Sequence, residues 1–241
     1  IVAVGILYSY RGSPFVKDKV HLLYGCGGLF IMGLGIRAMF LGNAAMGGYH
    51  PFEKTTAANL ERCLQVNVWA PWELMTQVVD GMRERGRGWI LNLTTFAAEL
   101  PPGPPFPTNK PAKSGFQYGA TKAALNRLTV TAASECEGQG IAVNGLAPQA
   151  AIATPQLVEA GWIDDAMFEP LDTMAEAALA LCSGDPSVLT GRLAYSLQLL
   201  RELRRPVYDL HGETLLDGWQ PDDLPPVIER QEASLAKQGW P

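Results

Sequence analysis

The chain has 241 residues, 47% hydrophobic and 18% charged, enough apolar material for one globular α/β domain with a sizeable core. Its formal charge is −5 and it has no block of Lys or Arg, which argues against a nucleic-acid-binding surface. Cys26, Cys63, Cys136 and Cys182 are scattered, with no C-x-x-C pair and no histidine beside them. Structural zinc, any other metal site and a disulfide framework are therefore not expected, and a reducing, cytoplasmic setting is.

Along residues 1–35, Ile1–Val4 and Val20–Tyr24 read as short buried strands. Gly25, Gly27, Gly28, Gly33 and Gly35 invite comparison with a loop whose backbone amides cradle phosphate. Their spacing does not match the usual dinucleotide fingerprints, and a plain glycine-rich connection is the other reading. The apolar run from Gly25 to Ile36 is too short and too rich in glycine to span a membrane, so no membrane partner is expected. The chain starts at Ile rather than Met, which predicts a trimmed or altered start. No secretory-signal pattern and no internal repeat is visible.

Ala38–Leu41 reads as a buried strand ending in Gly42-Asn43-Ala44-Ala45, where small residues permit close backbone approach. A long helix is expected from Thr55 to Arg85, with Leu60, Leu64, Asn67, Leu74, Val78 and Met82 on one stripe. Pro71 removes the amide that would bond the carbonyl of Asn67, which predicts a kink able to hold an ordered water. Trp89–Thr95 reads as a central parallel strand ending in two hydroxyls, Thr94 and Thr95, at the edge where open α/β sheets place ligands.

A proline-rich loop through Pro101–Pro107 and Pro111 leads into a helix starting at Tyr118, with an apolar stripe of Ala120, Ala124, Leu125, Leu128 and Ala132. Tyr118 and Lys122 are one turn apart and share a face. A fixed cation beside a phenol favours phenolate, which would let Tyr118 exchange a proton with a carbinol oxygen. Ile141–Ala147 reads as the next buried strand, closed by Pro148. A capping box is expected at Thr173–Glu176 and a late strand at Leu193–Tyr195, with a peripheral acidic tail after Gly212.

Taken in order, Gly42-Asn43-Ala44-Ala45, Asn67 in a kinked helix, Thr94-Thr95, Tyr118-x-x-x-Lys122, Val143-Asn144-Gly-Leu-Ala147-Pro148 and Thr154-Pro155 resemble the short-chain dehydrogenase/reductase family. Its corresponding patterns are N-N-A-G, a catalytic Asn, I-S-S, Y-x-x-x-K and V-N-x-x-x-P-G. The resemblance implies a Rossmann-like, doubly wound parallel sheet whose N-terminal βαβ units are incomplete or degenerate. In this reading residues 1–241 form one domain: 1–35 atypical, 36–195 the recognisable core, 196–241 a peripheral extension. Tyr118 would be the general acid/base, Lys122 would lower its pKa and bond the nicotinamide ribose, and Thr95 would replace the substrate-polarising serine. Asn67 would hold a relay water. Asn43, Ala44 and Ala45 would line the adenosine side, with Pro148, Ile152 and Thr154 on the nicotinamide side.

The resemblance implies an NAD- or NADP-dependent oxidoreductase interconverting a small-molecule alcohol and a carbonyl. Three departures stand out: G-N-A-A for N-N-A-G, Thr95 for serine, and Pro148-Gln149 for P-G. The family's T-G-x-x-x-G-x-G is absent as well, which predicts that the chain as it stands binds dinucleotide weakly or not at all. A non-catalytic descendant, serving as scaffold or oligomer partner, is the alternative. Val68, Trp69, Trp72, Leu125 and Val130 on the two long helices predict a homodimer or homotetramer joined through them.

Overall fold

The computed structural model describes residues 29–32, 39–42, 52–106, 116–153, 158–159 and 167–237. The expected strands at Ile1–Val4 and Val20–Tyr24, and the glycines from Gly25 to Gly35, lie outside them. Five strands form the main sheet in the order β1 (Leu29–Met32), β2 (Met39–Gly42), β3 (Gly88–Leu93), β4 (Ile141–Ala147) and β7 (Leu193–Tyr195). From β2 to β7 all neighbours are parallel, whereas β1 runs antiparallel to β2 along the edge. The fold is α/β and Rossmann-like, a parallel sheet with helices on both faces. The run Gly25–Ile36 thus contains an edge strand, which its glycine content hid.

β3 and β4 read as continuous apolar runs because both of their faces are covered. Trp89, Leu91, Ala142 and Leu146 point into one core, and Ile90, Ile141 and Val143 into the other, the alternation that a period of two requires. Gly140 turns the chain into β4 at φ 71°, and an added Cβ there would overlap the Gly86 carbonyl oxygen. That is a position for glycine on two counts.

The first helical layer holds α1 (Ala57–Leu64), α2 (Ala70–Arg85) and α3 (Phe116–Glu135). Thr56 caps α1 by accepting from the Asn59 amide at 3.2 Å. Between α1 and α2, Gln65–Trp69 forms a π-helical turn in which the Ala70 amide reaches back to the Gln65 carbonyl. This is the form taken by the kink expected at Pro71. The wide turn shifts the phase of the helix, so only part of the expected stripe faces inward. Leu64 is 43% exposed and Cys63 buried in its place, whereas Asn67 and Met82 are buried and Leu74 and Val78 pack on the core as expected, joined by Pro71 and Met75. Gly86, left-handed at φ 63°, ends α2.

The second layer holds α4 (Leu171–Ser183), α5 (Ser196–Glu202) and α6 (Leu224–Lys237). Met174, Ala177, Leu181, Leu197, Leu199 and Leu200 fill the core against β3 and β4. Leu224 and Ile228 of the acidic tail join the same cluster, because the charges of α6 occupy only its outer side. The capping box expected at Thr173–Glu176 does not form. Pro170 occupies the cap, Thr173 Oγ1 bonds Glu169 Oε2 at 2.7 Å and the Pro170 carbonyl at 2.6 Å, and Glu176 instead pairs with Arg205 at 2.5 Å. A guanidinium outcompetes a backbone amide for a buried carboxylate.

Candidate active site

The helix that carries Tyr118 and Lys122 turns a polar face to the sheet. Gln117, Thr121, Lys122, Leu125, Thr129 and Ala133 are its buried residues, a stripe stepping by three and four. Of the expected stripe, Leu125 is buried and Leu128 and Ala132 pack on the core, while Ala120 is exposed; Leu125 therefore lies in the interior rather than on the outer face expected for assembly. Buried polar groups must find partners, and here they find them across the layer. Thr129 Oγ1 donates to the Leu125 carbonyl at 2.7 Å and accepts from Asn92 Nδ2 of β3 at 3.0 Å. Thr121 Oγ1 donates to the Tyr118 carbonyl at 3.0 Å and accepts from Asn67 Nδ2 at 2.8 Å.

Lys122 is 2% exposed, and its Nζ donates to the Leu93 carbonyl at 2.7 Å, where β3 ends. Burial pulls its pKa down to about 8. An ammonium carries three donors, so this one bond leaves two for a ligand. Tyr118, half-buried, stands one turn earlier on α3. Its neighbour Gly119 lies against the Ala97 carbonyl, where an added Cβ would come within 2.5 Å of the oxygen. That close approach draws α3 onto the short 3-10 turn Phe96–Ala98, whose N-cap is Thr95. Thr95 Oγ1 accepts from the Ala97 amide at 3.2 Å, and the hydroxyl keeps a proton to donate. The structure thus gathers Thr95, Tyr118 and Lys122 at the carboxyl edge of β3, with Asn67 joined to them through Thr121.

The neighbouring edge is formed where β4 ends. Pro148 leads into Gln149 and Ala150, then β5 (Ala151–Ile152), which pairs with β6 (Phe168–Glu169). Ile152 packs on the second-layer core. Glu169, 0% exposed, accepts from the Ala150 amide at 3.1 Å and from Thr173, while Ser196 Oγ lies 2.8 Å from both carboxylate oxygens. Burial raises its pKa to about 7 against the opposing pull of those hydrogen bonds. Ser196 Oγ also accepts from the Gln149 amide at 2.9 Å. Sequence reasoning missed Glu169 and Ser196; the only signal was an acid closing the short apolar run Ala166-Met-Phe168. Asn144 has a structural task, donating to the Leu189 carbonyl at 2.8 Å and accepting from the Arg192 amide at 2.9 Å to lead the chain into β7. Asn43, Ala44, Ala45 and Thr154 lie outside the described residues.

A polar ligand fits this edge. Among the described residues, Thr94 Oγ1 and Gln149 Oε1, from adjacent strand ends, are buried without a hydrogen-bond partner, and Lys122 Nζ makes a single hydrogen bond. Buried polar atoms on Arg87, Asn92, Asn126 and Gln231 share that state among the described residues, so this pair counts only for its place at the strand ends where open α/β sheets bind ligands.

The family model described as short chain dehydrogenase matches residues 35–160. The 7alpha-hydroxysteroid dehydrogenase of Escherichia coli strain K12 is 30% identical over 171 residues, covering 66% of this chain and 62% of that protein. A solved structure of a short chain dehydrogenase/reductase family protein superposes with a TM-score of 0.55 at 31% identity, covering 65% of this chain and 64% of the other. ElxO with NADP bound, 20% identical with a TM-score of 0.56 over 66% of this chain and 64% of that one, shares the fold. The chain thus spans somewhat less than two thirds of the length of the proteins it resembles here.

Proposed function

The chain belongs to the short chain dehydrogenase family, and from that premise we propose that the protein is an NAD- or NADP-dependent oxidoreductase interconverting an alcohol and a carbonyl of a small molecule. The observation that carries this reading is the buried Lys122 ammonium at the end of β3, one helical turn from Tyr118 and beside the Thr95 turn. A nicotinamide, when bound, supplies or takes the hydride. Tyr118 gives a proton to the carbonyl oxygen in reduction and takes one from the alcohol in oxidation. Lys122 holds positive charge next to that phenol and offers its remaining donors to ribose hydroxyls. Thr95 donates to the substrate oxygen, and its β-branch fixes the hydroxyl's direction at the cost of room beside it.

In the same reading residues 1–241 are one domain, the nicotinamide end of the site is lined by Pro148, Ile152 and Thr154, and Asn43–Ala45 take the adenosine side. Two further expectations belong to it. The protein works in the cytoplasm, which suits the buried cysteines Cys63, Cys136 and Cys182. It assembles as a homodimer or homotetramer through α2 and α3; Trp69, in the π turn that leads into α2, is 61% exposed and packs edge-on to Trp72 at 5.2 Å. Among the described residues no helix is long and apolar enough to cross a membrane. The test is a cofactor-linked assay of the chain, following nicotinamide absorbance across a panel of secondary alcohols, ketones and aldehydes. Turnover with at least one pair and one cofactor is the expected result. None with any pair, alongside a folded protein, would overturn the proposal.

A further inference from the structure

Glu169 carries more of the architecture around the site than any single motif residue does, and nothing in the acid/base reading uses it. Its Oε1 takes the Ala150 amide directly. Through Ser196 Oγ, which it touches with both oxygens, it holds the Gln149 amide at one remove. Its backbone continues the grip: the Glu169 carbonyl accepts from the Ala153 amide at 3.0 Å, and Ile152 pairs with it across β5 and β6. Three amides of the five residues from Gln149 to Ala153 therefore depend on one residue far along the chain. That stretch runs from Pro148 towards Thr154, the nicotinamide side of the proposed site.

We propose that Glu169 is a positioning residue, whose buried carboxylate fixes the Pro148–Ala153 segment in the shape that receives the nicotinamide end of the cofactor. The inference rests on the proposed function for what the segment binds, and on geometry alone for the tether. A buried acid is a poor choice for stability, since apolar side chains of similar size commonly do as well or better. An acceptor is required here because the chain leaving β4 presents amides that no strand takes up, and a carboxylate is the side chain with acceptor capacity for several donors at once. Ser196, the first residue of α5, extends the reach of that acceptor by one bond, and Thr173 orients it from α4.

The geometry distinguishes two substitutions. Glu169→Gln keeps an oxygen for Ala150 and Ser196 and turns an amide to Thr173 Oγ1, which can accept while donating to the Pro170 carbonyl. It should leave the segment in place. Glu169→Ala removes every side-chain partner. Hydrogen exchange read by mass spectrometry on the intact chain should show the amides of Gln149 and Ala150 exchanging about tenfold faster in Glu169→Ala, the value of roughly one hydrogen bond. Exchange in β3 and α3 should stay unchanged, and Glu169→Gln should match the unmutated protein. Binding is compared in parallel for NADPH or NADH and for ADP-ribose, which lacks nicotinamide. Glu169→Ala should weaken the dinucleotide about tenfold and spare ADP-ribose.

Unchanged exchange at residues 149–150, or accelerated exchange throughout the sheet, overturns the proposal, the second because it marks a merely structural residue. Equal loss for both ligands overturns it as well. If the unmutated chain binds neither ligand, the proposed function fails and the exchange result still judges the tether. Should Glu169→Ala not fold, Ser196→Ala carries the test: faster exchange at Gln149 with Ala150 unchanged supports the tether, and no change at Gln149 refutes it.

Discussion

Behind β3 and β4, the layer of α1, α2 and α3 buries Asn67, Asn92, Thr121, Lys122 and Thr129, whereas the layer of α4, α5 and α6 buries Met174, Ala177, Leu181, Leu197 and Leu200 against the same strands. In the second layer Glu169, Thr173 and Ser196 form a polar cluster at the rim, where they meet the end of β4, and Glu176 and Gln231 are buried elsewhere in it. Each layer solves the packing problem, the second chiefly with hydrophobic mass. An unmet polar group in an interior costs about 1–3 kcal/mol, so a polar stripe such as that of α3 is a burden to folding unless nearly every member is paired. Its pairings, Asn67 to Thr121, Asn92 to Thr129 and Lys122 to Leu93, converge on the strand end that carries Thr95. The contrast teaches that the site side of this fold is read from what it buries, not from what it exposes.

Removing that contrast gives the largest expected effects. Lys122 titrates near 8 when native and near 10.5 when free. Between those values the unfolded chain holds a proton that the native chain has released, so stability rises with pH there, by up to roughly 3 kcal/mol. Glu169 behaves oppositely in a separate window. Its native pKa of about 7 lies above the free value of 4.5. The native state therefore binds the extra proton between them, and stability falls as pH rises from 4.5 to 7, by a similar roughly 3 kcal/mol. Denaturant unfolding across pH should show both slopes. Lys122→Met should abolish only the alkaline one and Glu169→Gln only the acid one; slopes that survive their substitutions would show that other groups dominate.

Substitutions elsewhere probe the frame. Leu197→Ala, deep in the apolar layer, should cost roughly 2–5 kcal/mol by opening a cavity, with no change in either pH slope. Gly140→Ala meets both a left-handed backbone and the Gly86 carbonyl, and should cost about 1–2 kcal/mol or more in unfolding experiments. Gly119→Ala should push α3 from the Ala97 carbonyl and lower turnover while leaving the midpoint of thermal unfolding within a few degrees. On the outer surface, Trp69→Glu with Trp72→Glu should yield smaller soluble species by light scattering. A monomer before mutation would refute assembly through these helices.

Much of this fold was legible because its central strands are apolar runs bounded by glycine, and because a helical spacing of four places Tyr118 and Lys122 together. The π turn at Gln65–Trp69 was not, since a single proline at 71 marks where a helix changes phase without saying by how much; Leu64 and Cys63 exchanged places as a result. The edge strand Leu29–Met32 was obscured by glycines on either side of it. The Glu169 cluster escaped for a different reason. Its partners come from positions 149, 150, 173 and 196, and no local spacing connects them.

The central claim is that Tyr118 exchanges the proton at a site whose charge Lys122 provides. Tyr118→Phe removes one hydroxyl from a half-buried side chain. With the cofactor and substrate pair that support turnover in the unmutated protein, the substitution is expected to lower kcat about 10²–10⁴-fold, with unfolding and cofactor affinity unchanged. Turnover within about threefold of the unmutated protein, where acid/base catalysis is worth at least ~10², would contradict the account.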